Sequence, residues 1–467
     1  MQKKDSGNDL LTILHNEGPL GMKDGMKLIL RLSLPAIMAQ VSSIVMQYID
    51  ASMVGRLGAG QSASIGLVSS TTWLFGGLIG AITAGFTVQV AHKVGAKDSD
   101  GAKRVTKYGL LCGFALSLLV MMAAAGISRS LPVWMGGEEA IREDAFRYFL
   151  IYALTLPVHQ LLYLAQGMIQ CSGNIRLPSI MNVIMCFLDV LFNALLIPVM
   201  GVPGAALGTS IAEVITMLVM MYLLLFRTPV LQFLKGEKIR EFRIFLQNEI
   251  PRACKIGMPV AMENVIMGMA YVAFTRIVSP VGTIAVAANS FAITAESLCY
   301  MPGYGISIAA TTIIGQSLGA GRKDLARRFA YMTVGLGMAF MAVTGALMYL
   351  FAPQMMAVLT PDERIQALGV TVLRIEAFAE PLFGASIVAG GVFRGAGETF
   401  LSTLINLVSV WLVRIPLAAF LAGTYGLAGV WTAMCIELCV RGSFYLIRLA
   451  LWKGGRQKGR LLEQQEQ

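Results

Sequence analysis

The chain alternates between long apolar runs and short breaks that contain polar residues, glycine or proline. Most runs have about 20 residues or more, which is enough for an α-helix to cross a hydrocarbon layer roughly 30 Å thick. The twelve runs occupy residues 28–54, 61–91, 106–128, 146–170, 177–200, 202–226, 253–278, 283–315, 330–352, 370–393, 400–423 and 426–451. The pattern therefore predicts an all-α membrane protein with twelve transmembrane helices.

The composition agrees with this prediction. Of the 467 residues, 56% are hydrophobic and only 14% are charged, compared with about 25% charged in soluble domains. The net charge of +10 could suggest a nucleic-acid partner, but the basic residues lie in loops beside the apolar runs. We interpret them as the positive-inside signal of a protein in the cell (plasma or inner) membrane with both termini in the cytoplasm. No signal peptide is predicted, because the first 27 residues contain no long apolar segment.

The second half of the chain repeats the first at an offset of 224 residues. Six spans return the chain to the side on which it started, so the two halves have the same orientation. Two pseudo-symmetric six-helix bundles with a site between them are typical of transporters. The aligned residues include Pro35 and Pro259, Gly58 and Gly282, Gly95 and Gly319, Pro157 and Pro381, and Asn182 and Asn406.

The repeat divides the chain into five segments. They are a cytoplasmic N-terminal tail at 1–27, an N-terminal bundle at 28–226, a cytoplasmic linker at 227–252, a C-terminal bundle at 253–451 and a basic cytoplasmic tail at 452–467. The linker is basic and partly amphipathic, which is typical of a helix that lies on the membrane surface. A solvated linker without such a helix is the alternative.

A carboxylate lies within the first apolar run, at Asp50. A charged side chain inside lipid costs roughly 2.5–3.5 kcal/mol on insertion scales, so it normally faces protein or water and has a function. Asp50, Asp189 and Thr209 lie about 6, 16 and 10 Å from the outer ends of their spans, at 1.5 Å per helical residue. Asn193 follows Asp189 by one turn and Asn182 precedes it by two, on the same helical face. We predict that these five residues bind a coupling cation, H⁺ or Na⁺; a structural role for the aspartates is the alternative.

The second half does not repeat this set of acids. Asp50 aligns with Phe274, and Asp189 aligns with Val413. The second-half acids near the midplane are Glu263 and Glu296, which indicate a site for an organic cation; hydrogen bonding between helices is the alternative. The predicted substrate-binding residues are Gln40, Met262, Glu263, Asn264 and Glu296.

Other polar residues in the spans are less informative. Glu213 and Glu437 align at the same offset, and a doubled position favours an architectural role. His159 is the only histidine in its span, and packing is favoured over proton relay. Glu376 and Glu380 lie near the start of the tenth span, where they could line a vestibule.

Several short motifs follow one another along this duplicated chain. They are Pro35, Gln40, Asp50, Gly55, Leu57 and Gly58 in the first span, QCSGNIRLP at 170–178, GVPGAALGT at 201–209, GQSLGAG at 315–321 and FRGAGET at 393–399. With this set the chain resembles the multidrug and toxic compound extrusion (MATE) family of cation-coupled exporters, from about residue 28 to 450. The resemblance implies a MATE-like fold and cation-binding groups at Asp50, Asp189 and Thr209. The chain departs from the family pattern at Met185, where an Asn is expected, and this favours a proton over Na⁺.

We therefore expect a secondary active exporter and not an enzyme. It would exchange H⁺ or Na⁺ for amphipathic, cationic organic compounds by alternating access, as a monomer. It would need no cofactor, and no metal beyond a Na⁺ at the cation-coupling set. A lipid-linked oligosaccharide flippase is the alternative, but it needs an Arg- and Lys-rich cavity for pyrophosphate, whereas the charges in these spans are mainly acidic. A membrane enzyme would need a motif such as HExxH or DDxxD, and the sequence contains neither.

Overall fold

The computed structural model describes residues 21–55, 57–228, 231 and 239–454, and this part of the chain is helical with no β-strand. The first half contains six long helices, joined by short turns and by a one-turn helix at Leu131–Trp134. They are α1 (Met22–Gly55), α2 (Ala59–Gly95), α3 (Ser99–Ile127), α4 (Glu139–Cys171), α5 (Arg176–Met200) and α6 (Val202–Tyr222).

The second half contains six further spans. Three are unbroken helices, α7 (Ile250–Val278), α8 (Thr283–Gly319) and α9 (Lys323–Leu359). The tenth, α10, consists of two consecutive helices, Glu363–Glu376 and Glu380–Gly395. The last two spans, α11 (399–425) and α12 (427–451), form one helical run that reverses at Gly426, where φ is 58° and ψ is −138°.

By length and composition alone, ten helical segments in the described chain could cross a membrane. The last of these, Thr399–Leu451, has 53 residues and reverses direction at Gly426, so it counts as two spans. The two helices of α10 have 14 and 16 residues and are each too short to count alone, but together they span the bundle. Counting the last segment as two spans and adding α10 gives twelve spans, the number predicted from the sequence.

The ends of the predicted segments differ from the helix limits. Helix α1 begins at Met22, whereas the apolar pattern begins at residue 28. Most of the predicted N-terminal tail (residues 1–20), residues 229, 230 and 232–238 of the linker, and residues 455–467 of the C-terminal tail lie outside the described residues.

The described end of the linker is helical and packed. It runs through Ile239–Ile244 and a π-helical turn at Phe245–Glu249 directly into α7. The Phe245 ring is fully buried, with its centroid 6.2 Å from that of Phe86 and 5.2 Å from that of Tyr108. Glu249 is paired with Arg104 at 2.8 Å. This segment therefore rests on the first bundle and is not a solvated linker.

The two bundles meet at two backbone contacts that are related by the 224-residue repeat. The α-carbon of Gly95 lies against the backbone of Gln316, and that of Gly319 lies against the backbone of His92. A Cβ at either glycine would overlap the facing carbonyl group, so both positions require glycine. We call this end of the molecule the basic face, because it carries the Lys- and Arg-rich loops that follow α2 and α8. The Gln316 amide also donates to the Cys171 carbonyl at 2.8 Å.

The repeat offset changes from 224 to 225 within α11. A π-helical turn at Val410–Arg414 adds one residue there. Gly201 and Gly426, which lie 225 residues apart, have nearly the same left-handed conformation, with φ of 64° and 58° and ψ of −135° and −138°. Beyond this turn Glu437 is therefore equivalent to Ala212. The alignment of Glu437 with Glu213 was wrong, because a single inserted residue rotates a helix by about 100°.

Candidate functional site

Four of the five predicted cation-coupling residues meet in the first bundle. The Asn193 amide nitrogen donates to Asp50 Oδ1 at 2.9 Å and to Asp189 Oδ2 at 3.2 Å, so it joins α1 to α5. Thr209 on α6 approaches the Asp189 carboxyl group. Asp189 and Asn193 are each only 1% exposed. Asp50, Asp189 and Thr209, which were predicted at compatible depths in their spans, therefore belong to one buried cluster.

The two carboxyl groups in this cluster also approach each other. Two carboxylates in contact inside a protein cannot both remain ionised without compensation, so such a pair holds a proton or another cation. Within the described chain, Asp189 Oδ1 and Asn193 Oδ1 are buried acceptors without a hydrogen-bond partner. The cluster therefore has the oxygen atoms that a shared proton or a small hard cation needs.

A glycine on α6 makes room for the Asn193 side chain. A Cβ at Gly208 would collide with Asn193 Oδ1. The GVPGAALGT motif thus places Thr209 against Asp189 and leaves space for the bridging amide one residue earlier. The motif supports the site through packing as well as through its hydroxyl group.

The fifth predicted residue, Asn182, lies outside this contact. Its amide nitrogen donates to the Ala39 carbonyl at 3.1 Å and to Ser43 Oγ at 2.8 Å. It shares a helical face with Asp189 but lies two turns away, so it fixes α5 against α1 at a different depth. Met185, between them in sequence, packs against the hydrophobic core of the first bundle.

In the second bundle Glu263 takes part in a corresponding contact. It accepts hydrogen bonds from Thr403 Oγ1 at 2.9 Å and from the Asn406 amide at 2.5 Å. Asn406 is the repeat counterpart of Asn182, and Glu263 is the counterpart of Ala39. The same amide thus meets a backbone carbonyl in one half and a carboxylate in the other.

Glu296 belongs to a different cluster. It is 5% exposed and lies near Glu376 and Glu380 of α10. Both α10 glutamates are completely buried, and their four carboxyl oxygens have no hydrogen-bond partner in the described residues. Because a buried carboxylate without a partner is costly, this environment favours the neutral acid. The structure thus gives Glu263 and Glu296 different neighbours.

The three remaining predicted substrate residues have different surroundings. Met262 is 55% exposed, and Gln40 is half-buried. Asn264 donates to the Gly77 carbonyl at 2.9 Å, so it forms a contact between the two bundles. Gln40 lies on α1, and Met262 and Asn264 lie on α7, which packs against α2.

Sequence reasoning missed a buried pair in the first bundle. His159 Nδ1 lies 3.0 Å from Glu213 Oε1, with side-chain exposures of 16% and 12%. The only sequence signal was the presence of both residues in spans of the same half. In the second bundle Glu437 is paired with Arg414 at 2.7 Å and with Arg441 at 3.0 Å. It also accepts a hydrogen bond from Ser409 at 2.6 Å.

Comparison with known families identifies this architecture. The MatE family model matches residues 35–195 and 259–420, one range in each bundle. The chain belongs to the MATE family. This is a family of transporters and not of enzymes, and the predicted family and its all-α fold are confirmed.

Named relatives cover nearly the whole MATE chain. The probable multidrug resistance protein NorM of Thermotoga maritima is 23% identical over 429 residues, which cover 90% of this chain and 91% of the relative. The protein of the same name from Pseudomonas aeruginosa is 29% identical over 427 residues, covering 87% and 85%.

Solved structures share the fold. One, described as an outward-facing conformation of a multidrug resistance MATE family transporter of the MOP superfamily, has a TM-score of 0.87 and 21% identity, covering 96% of this chain and 99% of that one. A MOP superfamily transporter from Pyrococcus furiosus has a TM-score of 0.86 and 21% identity, covering 96% and 98%. At these identities the likeness concerns the fold alone.

Proposed function

We propose that this MATE transporter is a secondary active exporter that exchanges H⁺ or Na⁺ for amphipathic, cationic organic compounds. The observation that carries the proposal is the buried Asp50–Asn193–Asp189 contact, with Thr209 beside it. A carboxyl pair at this depth can take up a cation on one side of the membrane and release it on the other. The relatives named as probable multidrug resistance proteins support the same direction of transport.

Cation binding at this pair would control the packing of three helices. A bound proton or Na⁺ neutralises the pair and lets α1, α5 and α6 close around it, whereas loss of the cation leaves two carboxylates that repel. Tyr48, two residues before Asp50, donates to the Thr294 carbonyl of α8 at 2.7 Å. Movement of α1 at Asp50 is thereby connected to the opposite bundle, as alternating access requires.

The residues in this site favour a proton over Na⁺. A sodium site is completed by several oxygen ligands, and Met185 supplies none one turn before Asp189. A proton needs only the two carboxyl groups. Na⁺ remains the other coupling ion to be tested, because Asp189 Oδ1 and Asn193 Oδ1 are acceptors without a partner in the described chain.

We assign substrate binding to the region between the bundles. Gln40, Met262, Glu263, Asn264 and Glu296 would contact the organic cation, with a glutamate to pair its charge. Exposed methionine side chains such as Met262 adapt to apolar bodies of different shape. The drug and the coupling ion would then compete for acidic groups, directly or through helix movement.

The remaining parts of the proposal follow from charge and topology. The protein would act as a monomer in the plasma or inner membrane, with the basic face and both termini in the cytoplasm. The tail, bundle and linker limits proposed from the sequence, with bundles at 28–226 and 253–451, fit this arrangement. The flippase alternative has less support, because Arg414 and Arg441 are engaged by Glu437 and are not free to bind pyrophosphate.

Efflux from proteoliposomes tests the proposal. Ethidium transport should be driven by a H⁺ gradient or a Na⁺ gradient when each is imposed separately. Asp50→Asn should abolish coupled transport while the protein remains in the membrane. Glu143→Gln, which removes one partner of an exposed ion pair, is the matched control and should transport like the unaltered protein. Normal coupled efflux by Asp50→Asn would show that the proposal is wrong.

A further inference from the structure

His159 and Glu213 form a largely buried contact within the first bundle. It joins α4 to α6 with 3.0 Å between Nδ1 and Oε1. At this distance the two groups share a hydrogen, either as imidazole N–H to carboxylate or as carboxyl O–H to imidazole. Histidine is the side chain whose ordinary pKa lies nearest neutral pH, which suits it to accept and release protons. Their side chains are 16% and 12% exposed, so they are largely buried but not sealed off.

The pair adjoins the carboxyl cluster. Thr209 and Glu213 are four residues apart on α6 and therefore share a helical face. Glu213 is about 6 Å nearer the basic face than Thr209, at 1.5 Å per helical residue. It lies close enough to Asp189 for the two charges to interact. By the same measure Glu213 lies at the depth of Asp189, about 16 Å from the outer end of its span, and it links Thr209 and Asp189 to His159.

The surroundings of His159 contain few other titratable groups. On α4 itself, the Tyr163 ring lies against the imidazole, with centroids 4.3 Å apart and the planes tilted by 52°. The Tyr152 hydroxyl donates to the Thr72 carbonyl at 2.8 Å. From α2, Thr83 meets the neighbouring Gln160 at 3.0 Å. From α3, Gly113 faces Leu164. Glu213 is the acid that faces the imidazole in the described structure.

The second bundle shows what a purely structural arrangement looks like. Its buried glutamate, Glu437, is held by two arginines that stay charged at any physiological pH. The repeat counterpart of His159 is Phe383, and the Arg441 guanidinium lies over its ring at 5.6 Å. The second bundle therefore has a cation–π contact at the position of His159, and its arginine–glutamate pairs are one residue out of register with Glu213.

We propose that Glu213 and His159 form a proton relay between the Asp50–Asp189 pair and the basic face of the transporter. The proposal rests on the proposed function and assigns its coupling ion as a proton. It also reverses the expectation from the sequence that His159 is a packing residue.

The relay moves one proton without any change in covalent bonds to carbon. The protonated carboxyl pair gives its proton towards Glu213 through the Thr209 hydroxyl, which donates one hydrogen and accepts another. The Glu213 carboxyl passes a proton to the imidazole, and the imidazolium releases it towards the basic face. Thr209, Glu213 and His159 then return to their first protonation states, and the carboxyl pair has lost one proton.

The experiment compares driven and undriven transport in proteoliposomes. His159→Gln and Glu213→Gln should each lower H⁺-gradient-driven ethidium efflux about 100-fold, which is the lower end of what a positioned proton-transfer group contributes. Ethidium binding and ethidium exchange without a gradient should remain within about twofold of the unaltered protein. The double variant should be no slower than either single one, because members of one relay act as a unit.

Two further measurements separate a relay from a structural pair. Substrate-induced proton release, followed with a pH-sensitive dye, should disappear in His159→Gln. Tyr163→Phe, which keeps the ring beside His159 and removes only a hydroxyl, should transport with the normal pH profile. If His159→Gln fails to fold, Glu213→Gln gives the same reading from the other partner.

The outcomes distinguish this inference from the proposed function. Normal H⁺-driven efflux and pH profile in both single variants, with Asp50→Asn inactive, would overturn the relay and leave the exporter intact. Efflux driven by Na⁺ alone, without proton movement, would also overturn the relay. Parallel loss of binding, exchange and driven efflux would show a structural pair and would equally overturn it.

Discussion

In the first bundle a buried glutamate of the sixth span meets a histidine, and in the second a buried glutamate of the twelfth span meets two arginines. Imidazole is a group that exchanges protons near neutral pH, whereas guanidinium groups do not. The two bundles also differ at Asp50, whose counterpart Phe274 belongs to a hydrophobic core. The first half of the shared scaffold therefore holds the Asp50–Asp189 pair and the His159–Glu213 contact, whereas Glu437 in the second half is held by arginine charge.

The largest expected effect is loss of the carboxyl pair. Asp189→Asn should reduce coupled efflux at least about 100-fold, because the pair can no longer exchange a cation. The matched change in the second bundle is Val413→Ala, at the position that a constant offset of 224 aligns with Asp189. It should leave coupled efflux near normal. Efflux and protein level measured together check this, and equal losses in both variants would contradict the division between the halves.

This division was partly predictable from the sequence. Depth and helical spacing were enough to bring Asp50, Asp189, Asn193 and Thr209 together, because a span fixes the height of each residue. Spacing alone could not place Asn182, since two residues on one helical face can meet different neighbours at different depths. Its contact with Ser43 depends on how α5 crosses α1.

The offset change and the cross-helix pairs could not be predicted. The π-helical turn at Val410–Arg414 adds a single residue, and no feature of composition marks it. It moves Glu437 out of register with Glu213 and brings Arg414 to the glutamate. The His159–Glu213 contact joins two helices whose relative rotation the sequence pattern does not define.

The second prediction compares the two buried glutamates directly. Glu437→Gln should destabilise the protein by about 3–5 kcal/mol, because it leaves two buried arginines without their acid. Glu213→Gln should cost less, because the histidine left behind can become neutral. Thermal unfolding in detergent measures both. A larger loss of stability in Glu213→Gln would show that the first contact, and not the second, is the structural one.

The third prediction concerns the room left for Asn193. Gly208→Ala should cost about 1–3 kcal/mol by overpacking, and coupled efflux should fall about tenfold for each 1.4 kcal/mol that the displaced amide loses. Gly268→Ala is the control in the second bundle, because its Cβ would meet nothing within 4 Å. Equal efflux by the two variants would mean that the position of Asn193 does not matter for coupling.

The smallest expected effect is a difference in stability between variants of Asn182 and Asn406, the two asparagines that the repeat preserves. Asn182 donates to a backbone carbonyl and a hydroxyl, so Asn182→Ala should cost about 1 kcal/mol of stability, as for neutral hydrogen bonds. Asn406 donates to the Glu263 carboxyl group, and charge-assisted bonds are roughly twice as strong. Asn406→Ala should therefore lower the unfolding temperature more. Equal unfolding temperatures of the two variants would contradict this comparison of the two amides.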